Sequence, residues 1–246
     1  MSSYEDHKKQ ILLPLSGWTN RKHNIPRRFH SESEVIDKPD SENWSVWVSL
    51  EESSSLHRAN EMNWLSLKDS IELTNDYLEK SSILICGLEG GSLDGEEELM
   101  IKERIGLPPL PCLPIYIITC KDTEKEEIVY IGKTKSDKRF IGGHTAALKL
   151  HDPIYNNKIK TLYRCSIWFY IDNEYIIIDW IRPTELALEL LDSIESQLIY
   201  HFKPELNISK KNKNYTKWEF TIQIQNFLDS FLNDTFIWPL SSSEKK

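Results

Sequence analysis

Six side chains of chemically useful type follow one another through the second half of the chain: Tyr116, Tyr130, Arg139, His144, Glu195 and Asn207. A tyrosine beside a cation relays or accepts a proton once its ionisation, ordinarily at about pH 10, is brought down by its surroundings. An arginine presents a permanently charged planar fork that matches a phosphate. One carboxylate is enough to hold a Mg²⁺ that keeps most of its waters. Hydrolysis of a phosphodiester asks for an activated water, neutralised phosphate charge and a stabilised leaving oxygen, and these side chains are of the types that supply them. Taken singly, each also has a bland reading. Tyr116 and Tyr130 would be cross-strand core aromatics, Arg139 a surface arginine and Glu195 a solvated helix residue. His144 and Asn207 would be cap or turn residues, and His151 and His201 read as structural.

The elements that must position them are legible in part. Ile115–Ile118 and Ile128–Ile131 are short apolar runs flanking the charged, turn-prone stretch 121–127, which is a hairpin pattern carrying one tyrosine on each strand. Gly132 closes the second strand. Arg139 to His151 reads as a loop with a glycine pair, Gly142-Gly143, followed by a short helix over 145–150. The stretches 161–171 and 175–181 are strong strand signals with a turn at Asp172-Asn173, so a second hairpin is expected. Pro183 suits the first turn of a helix over 184–202, where Leu186, Leu190, Ile194 and Leu198 share one face and Glu195 lies beside it. Pro204 ends it, and Asn207 follows. Phe220, Ile224, Phe227 and Phe231 give the stretch 218–236 a final helical pattern.

The order Ile-Tyr, hairpin, Tyr-Ile-Gly, arginine, helical glutamate and Pro-x-Leu-Asn resembles the GIY-YIG nuclease family. The first motif is Pro114-Ile115-Tyr116, with proline where the family has glycine, and the second is Tyr130-Ile131-Gly132. Thirteen residues separate them, slightly more than is usual, and His144 follows Arg139 by five residues where four is common. The resemblance covers about 114–208. It implies an α+β fold with a small central antiparallel β-sheet flanked by helices. It also implies a divalent-metal-dependent DNA endonuclease with Mg²⁺ or Mn²⁺ on Glu195, Tyr116 assisting as general base and Tyr130 orienting water or phosphate. Arg139 would meet the phosphate with His144 as its partner. Asn207 would anchor the glutamate's end of the helix or the metal's water shell. A chain of this length with an unfamiliar flanking region fits a restriction or defence-type enzyme best. A homing or mobile-element nuclease is the alternative, and a DNA-binding scaffold that no longer cuts is the rival of another class. Cutting both strands commonly needs two copies of such a site, so a homodimer is expected on that ground alone.

Charge distribution agrees with a DNA partner better than net charge does. The chain sums to −8, yet residues 1–110 hold 20 acidic against 12 basic side chains and residues 111–246 hold 18 of each. Within the second half, 121–165 carries 10 basic against 6 acidic, and 203–217 carries five lysines against Glu205. Phosphate binding needs local positive potential, not a basic average. Lys133, Lys135, Lys138, Lys210, Lys211 and Lys213 are the candidate DNA contacts.

The remainder divides, on sequence, into a polar arm over 1–43, an accessory α/β region over 44–105, a proline-rich linker over 106–113 and a C-terminal helix and tail over 209–246. In the accessory region 44–50 alternates like a strand, and Ser66 with Asp69 reads as a helix N-cap. The run 82–86 reads as a short strand, and the acidic, glycine-rich stretch from Gly87 as a turn-rich connection; it lacks the Lys-Ser/Thr ending of a phosphate loop. Cys86, Cys112, Cys120 and Cys165 are scattered with no C-x-x-C, which points away from disulfides and a zinc cluster. No apolar run approaches a membrane span, and the N-terminus lacks a signal peptide's apolar core, so no membrane contact and a cytoplasmic location are expected.

Overall fold

A computed structural model describes residues 14–21, 44–86, 92–123, 125–136, 140, 144–171, 174–226, 231–232 and 234–239. In chain order the elements are α1 (Pro14–Thr19), β1 (Ser45–Ser55), α2 (Leu67–Leu84), α3 (Gly95–Arg104), β2 (Ile115–Lys121), β3 (Glu126–Lys133), α4 (Thr145–Lys149), β4 (Ile159–Ile171), β5 (Glu174–Ile177), α5 (Thr184–Phe202), β6 (Thr221–Asn226) and β7 (Thr235–Ile237). Short 3₁₀ turns follow β1, α4 and β5. The class is mixed α+β. No helix among the described residues is long and apolar enough to cross a membrane.

Seven strands share one sheet, in the order β3-β2-β4-β1-β6-β7, with β5 also paired to β4. The expected small antiparallel sheet is therefore too small and too uniform. β1 runs antiparallel to β4 on one side and parallel to β6 on the other. Both additions have visible causes. Val46, Val48 and Leu50 alternate onto one face and are completely buried in the main core, which suits a strand in the interior of the sheet. Phe220, Ile222 and Ile224 also alternate, with Thr221 and Gln223 between them. The expected helix over 218–236 is replaced by β6 and β7 because this period of two in β-branched residues outweighs the i, i+4 spacing of the phenylalanines.

Three further expectations change. The run 82–86 is not a strand: α2 continues to Leu84, and Ile83 is 72% exposed, so no buried strand fits there. The acidic stretch is not all connection, because Gly95–Arg104 is a helix. Asp94 accepts from the Glu96 and Glu97 amides while Glu97 accepts from the Asp94 amide, a complete capping box. Acids in the first turn and Lys102 and Arg104 in the last suit the helix dipole. The proline-rich stretch does not separate two sheets, since β1 and β2 flank the same β4. Its Cys112 is buried and tied through Asp179 to α2. Within the expected polar arm, α1 buries Leu15 and Trp18 in the main core. The N-cap at Ser66, the β2–β3 hairpin and the long helix α5 lie where the sequence puts them; β4 and β5 pair as expected, but β5 ends at Ile177 and a 3₁₀ turn takes Ile178–Trp180, while Asp172 and Asn173 lie outside the described residues.

The sheet's two faces carry different cores. One buries Ile115, Ile117, Ile131, Ile167 and Phe169 against α1, α2, α3 and α5. The other buries Tyr116, Ile118, Cys120 and Leu162 with Trp64, Leu150 and Tyr155, beneath α4 and the two 3₁₀ turns beside it. The candidate chemistry sits at the β3 edge, where these faces meet.

Candidate functional site

The β2–β3 register decides what the two tyrosines can touch. Tyr116 pairs with Gly132 and Ile118 with Tyr130, after which the register slips so that Val129 is bulged. Directly paired residues share a face, so Tyr116, Tyr130 and Gly132 lie together. Their rings stack with centroids 6.0 Å apart. The glycine is a steric requirement. A Cβ at position 132 would come within 2.6 Å of the Tyr116 hydroxyl and 2.8 Å of the Tyr130 ring. The Tyr-Ile-Gly spacing is thus what lets one tyrosine lie across the strand that carries the other.

His144 completes this group. It caps α4, its Nδ1 accepting from the Ala147 amide at 3.3 Å, while its Nε2 lies 2.8 Å from the Tyr116 hydroxyl oxygen. An Nδ1 that accepts a backbone N–H places the neutral ring's proton on Nε2, so His144 donates to Tyr116. Phe140 stacks on the other side of the imidazole, at 4.6 Å, and on Trp64 at 4.7 Å. Trp64 in turn meets Tyr116 edge-on and carries the Arg164 guanidinium over its ring at 4.8 Å. Arg164 is the cross-strand partner of Tyr116 on β4, buried and paired with Glu52.

Asn207 has a defined but different task from the one expected. Its Oδ1 accepts from the Ile131 amide at 2.9 Å and its Nδ2 donates to the Ile131 carbonyl at 2.8 Å. Leu206 N–H donates to the carbonyl of the bulged Val129. The chain after α5 therefore extends the hydrogen bonding of the edge strand β3 between its two key residues, Tyr130 and Gly132. Asn207 holds a strand edge here rather than the end of a helix.

An open cleft of about 300 Å³ lies over this edge, walled by Tyr130, His144, Lys149, Asn207, Ile208 and Ser209. Tyr116 is completely buried behind His144 and Tyr130 and is not part of the wall. Glu195, on α5, is not part of the wall. Its carboxylate pairs with Lys210 at 2.6 Å, with Glu195 13% and Lys210 22% exposed. Lys133, next after Gly132, pairs with Asp192 and also feels Glu195 and Lys210. Burial lowers the Lys133 ammonium from its ordinary value, and the Glu195 charge opposes that.

Among the described residues no cluster of three or more His, Cys, Asp or Glu stands ready for a metal. Glu195 alone still fits Mg²⁺ or Mn²⁺, which need few protein ligands when they retain water. It is a hard oxygen donor already facing ammonium groups, with Lys210 standing where another cation would pair.

The structure thus brings Tyr116, Tyr130 and His144 together and sets Asn207 against them. It places Glu195 with Lys133 and Lys210 across the same edge. Arg139 and Lys138 lie outside the described residues. Lys135 is exposed and contributes positive potential at Lys133. Lys211 is bound to the Glu205 carbonyl, and Lys213 lies over the Tyr215 ring. Four participants escaped sequence reasoning. Lys149 carried a signal, being on the helix that His144 opens. Phe140, Trp64 and Arg164 carried none, because only the tertiary fold brings them to Tyr116.

No family model, no curated protein and no solved structure matches this chain. The site's own geometry therefore carries the functional reading.

Proposed function

We propose that the chain is a divalent-metal-dependent endonuclease that hydrolyses DNA phosphodiesters, built on the GIY-YIG plan and used in restriction or defence. The observation that carries this reading is the Tyr116–His144 hydrogen bond, packed over Gly132 and beside Tyr130 at the back of a cleft that Lys149 rims. Tyrosine, histidine and glycine in this contact are hard to explain as core packing alone, since an apolar residue at 144 would cover Tyr116 without burying an imidazole.

The roles follow from position. Tyr130 and His144, on the cleft wall, meet the water and the phosphate. Tyr116 is the proton-holding group behind them: its oxygen and His144 Nε2 are 2.8 Å apart, so the Nε2–H stabilises negative charge on that oxygen when its proton leaves. Lys149 neutralises charge on the phosphate, with Arg139 adding its fork. Lys133, Lys135, Lys210, Lys211 and Lys213 supply the positive field along the edge, and Lys138 would add its charge to theirs. Asn207 is a positioning residue that fixes the strand bearing Tyr130 and Gly132. Glu195 would hold the Mg²⁺ or Mn²⁺, which when bound supplies charge neutralisation and an acidified water.

Incubating supercoiled plasmid with the protein tests this. Relaxed or linear DNA should form with Mg²⁺ and not with chelator, and intact plasmid across a panel of DNAs would contradict the proposal. One observation favours a second reading, a DNA-binding scaffold that does not cut: Lys210 occupies the Glu195 carboxylate and Tyr116 is fully covered. Tight DNA binding with no metal-dependent cleavage would establish that reading instead.

A further inference from the structure

The face of the sheet that carries Tyr116 holds a second cleft, on the far side of α4. It has a volume of about 410 Å³ and is walled by Leu56, His57, Ala147, His151, Lys158 and Lys160, among others. No acidic side chain among the described residues lines it. Three acids near it in the chain or the fold are already engaged, the first being Glu52, which pairs with Arg164. Asp152 accepts from the Ile154 amide, and Glu205 accepts from the Tyr155 hydroxyl at 2.8 Å. Lys160 pairs across the sheet with Cys120, so it belongs to the same face and the same row as Ile118 and Tyr116. Lys158 and Lys160 are half-buried, Lys158 lies over the Tyr155 ring at 5.9 Å, and both ammonium charges are felt at Cys120, opposed there by Glu205.

The short helix α4 is therefore a ridge between two cationic clefts. Thr145, Ala146 and Lys149 face the tyrosine cleft; Ala147, Leu150 and His151 face the second one. A nucleic-acid backbone presents phosphates at regular intervals, and a ridge flanked by lysines on both sides suits a strand crossing it. Leu148 and Ile154 are exposed nearby and Ile159 is exposed in the lining itself, and these would suit a protein instead. The lining decides for an anion, because its polar members are His57, His151, Lys158, Lys160 and the Ser55 hydroxyl, with no carboxylate.

We infer that the cleft of His57, His151, Lys158 and Lys160 is a second phosphate subsite for the DNA substrate, one or more nucleotides away from the bond cut beside Tyr130. This rests on the nuclease reading and extends it by naming the track the DNA follows. Lys158 and Lys160 are positioning residues that touch no reacting atom.

The test is fluorescence anisotropy with a labelled mixed-sequence duplex in chelator, titrated at several salt concentrations between about 50 and 200 mM. Wild type is compared with Lys158→Gln, Lys160→Gln and the double variant, each checked for an unchanged melting midpoint. The double variant should bind roughly tenfold more weakly, and its log–log salt slope should fall by about two, with about one for each single variant. Cleavage at saturating protein should persist. If wild type binds and cuts DNA while the double variant keeps wild-type affinity and slope, the second subsite is wrong and the nuclease reading stands. If wild type neither binds nor cuts any DNA, both fall.

Discussion

Asp179 and Glu195 are both carboxylates drawn largely out of water, and they are held in opposite ways. Asp179 is 1% exposed, between β5 and α5. It is met by the Ser70 hydroxyl, the Cys112 amide at 3.0 Å and the Cys112 thiol, all uncharged. Burial pushes its carboxyl above the ordinary carboxylate range, against the hydrogen bonds that favour charge. Glu195 sits at a sheet edge with an ammonium on its carboxylate and a second one in range. A carboxylate enclosed by neutral donors ties segments together, here α2, the proline-rich stretch and the turn after β5. A carboxylate held by mobile ammonium groups can exchange one cation for another. That contrast is why Glu195, and not the more deeply buried acid, is the one proposed to hold a metal.

Replacing each acid by its amide separates the two. Glu195→Gln should lower metal-dependent cleavage by about 10³-fold, the scale expected when a main electrostatic contact to a transition state is lost. Its melting midpoint should fall modestly, because the charge is lost from a largely buried pair while the amide oxygen still accepts from Lys210. A plasmid time course with a thermal melt reads both. Cleavage retained in Glu195→Gln would move the metal elsewhere.

Gly132→Ala comes next in size. The new methyl would have to displace the Tyr116 hydroxyl, so overpacking should cost about 1–3 kcal/mol in a denaturant titration. Moving the tyrosine should also cost about 10²-fold in cleavage. A variant that is stable and fully active would mean that the tight contact between strand and ring is dispensable.

Asp179→Asn should have the smallest effect and the opposite sign. The raised carboxyl pKa means that the acid's contribution to stability is present at low pH and is lost as pH rises from the unfolded value through the folded one. The amide still accepts from Ser70 and Cys112 and has no charge to bury. Its melting midpoint should exceed wild type at about pH 8, with the gap closing towards about pH 4, and cleavage should be unchanged. A gap that widens as pH falls would reverse the account of Asp179.

The difference between these two acids also marks what could be read from the chain. Glu195 was legible because it lies beside a long apolar stripe and ahead of Pro-x-Leu-Asn. Asp179 sits in a run that reads simply as strand, and its partners Ser70 and Cys112 are distant in sequence. The hairpin was legible because each strand carries its own pattern and turn. The rest of the sheet was not, since β1 finds β4 and β6 across more than a hundred residues and no local signal records such a pairing. β6 was misread because Phe220 and Ile224 satisfy a helical spacing as well as an alternating one. The β3 edge was legible as a set of residue types, but not as an arrangement. Nothing in the spacing of Tyr116 and His144 shows that Tyr116 would be buried behind the imidazole, or that Asn207 would bind a strand.

The most direct measurement of the central claim is the cleavage rate of Tyr116→Phe at saturating Mg²⁺, alongside its melting midpoint. The substitution removes only the oxygen that His144 Nε2 reaches and keeps the ring that packs on Trp64, Tyr130 and Phe140. The account predicts a fold as stable as wild type to within about 1–2 kcal/mol and a loss of cleavage of roughly 10²–10⁴-fold. A folded Tyr116→Phe that cuts DNA at the wild-type rate would contradict it.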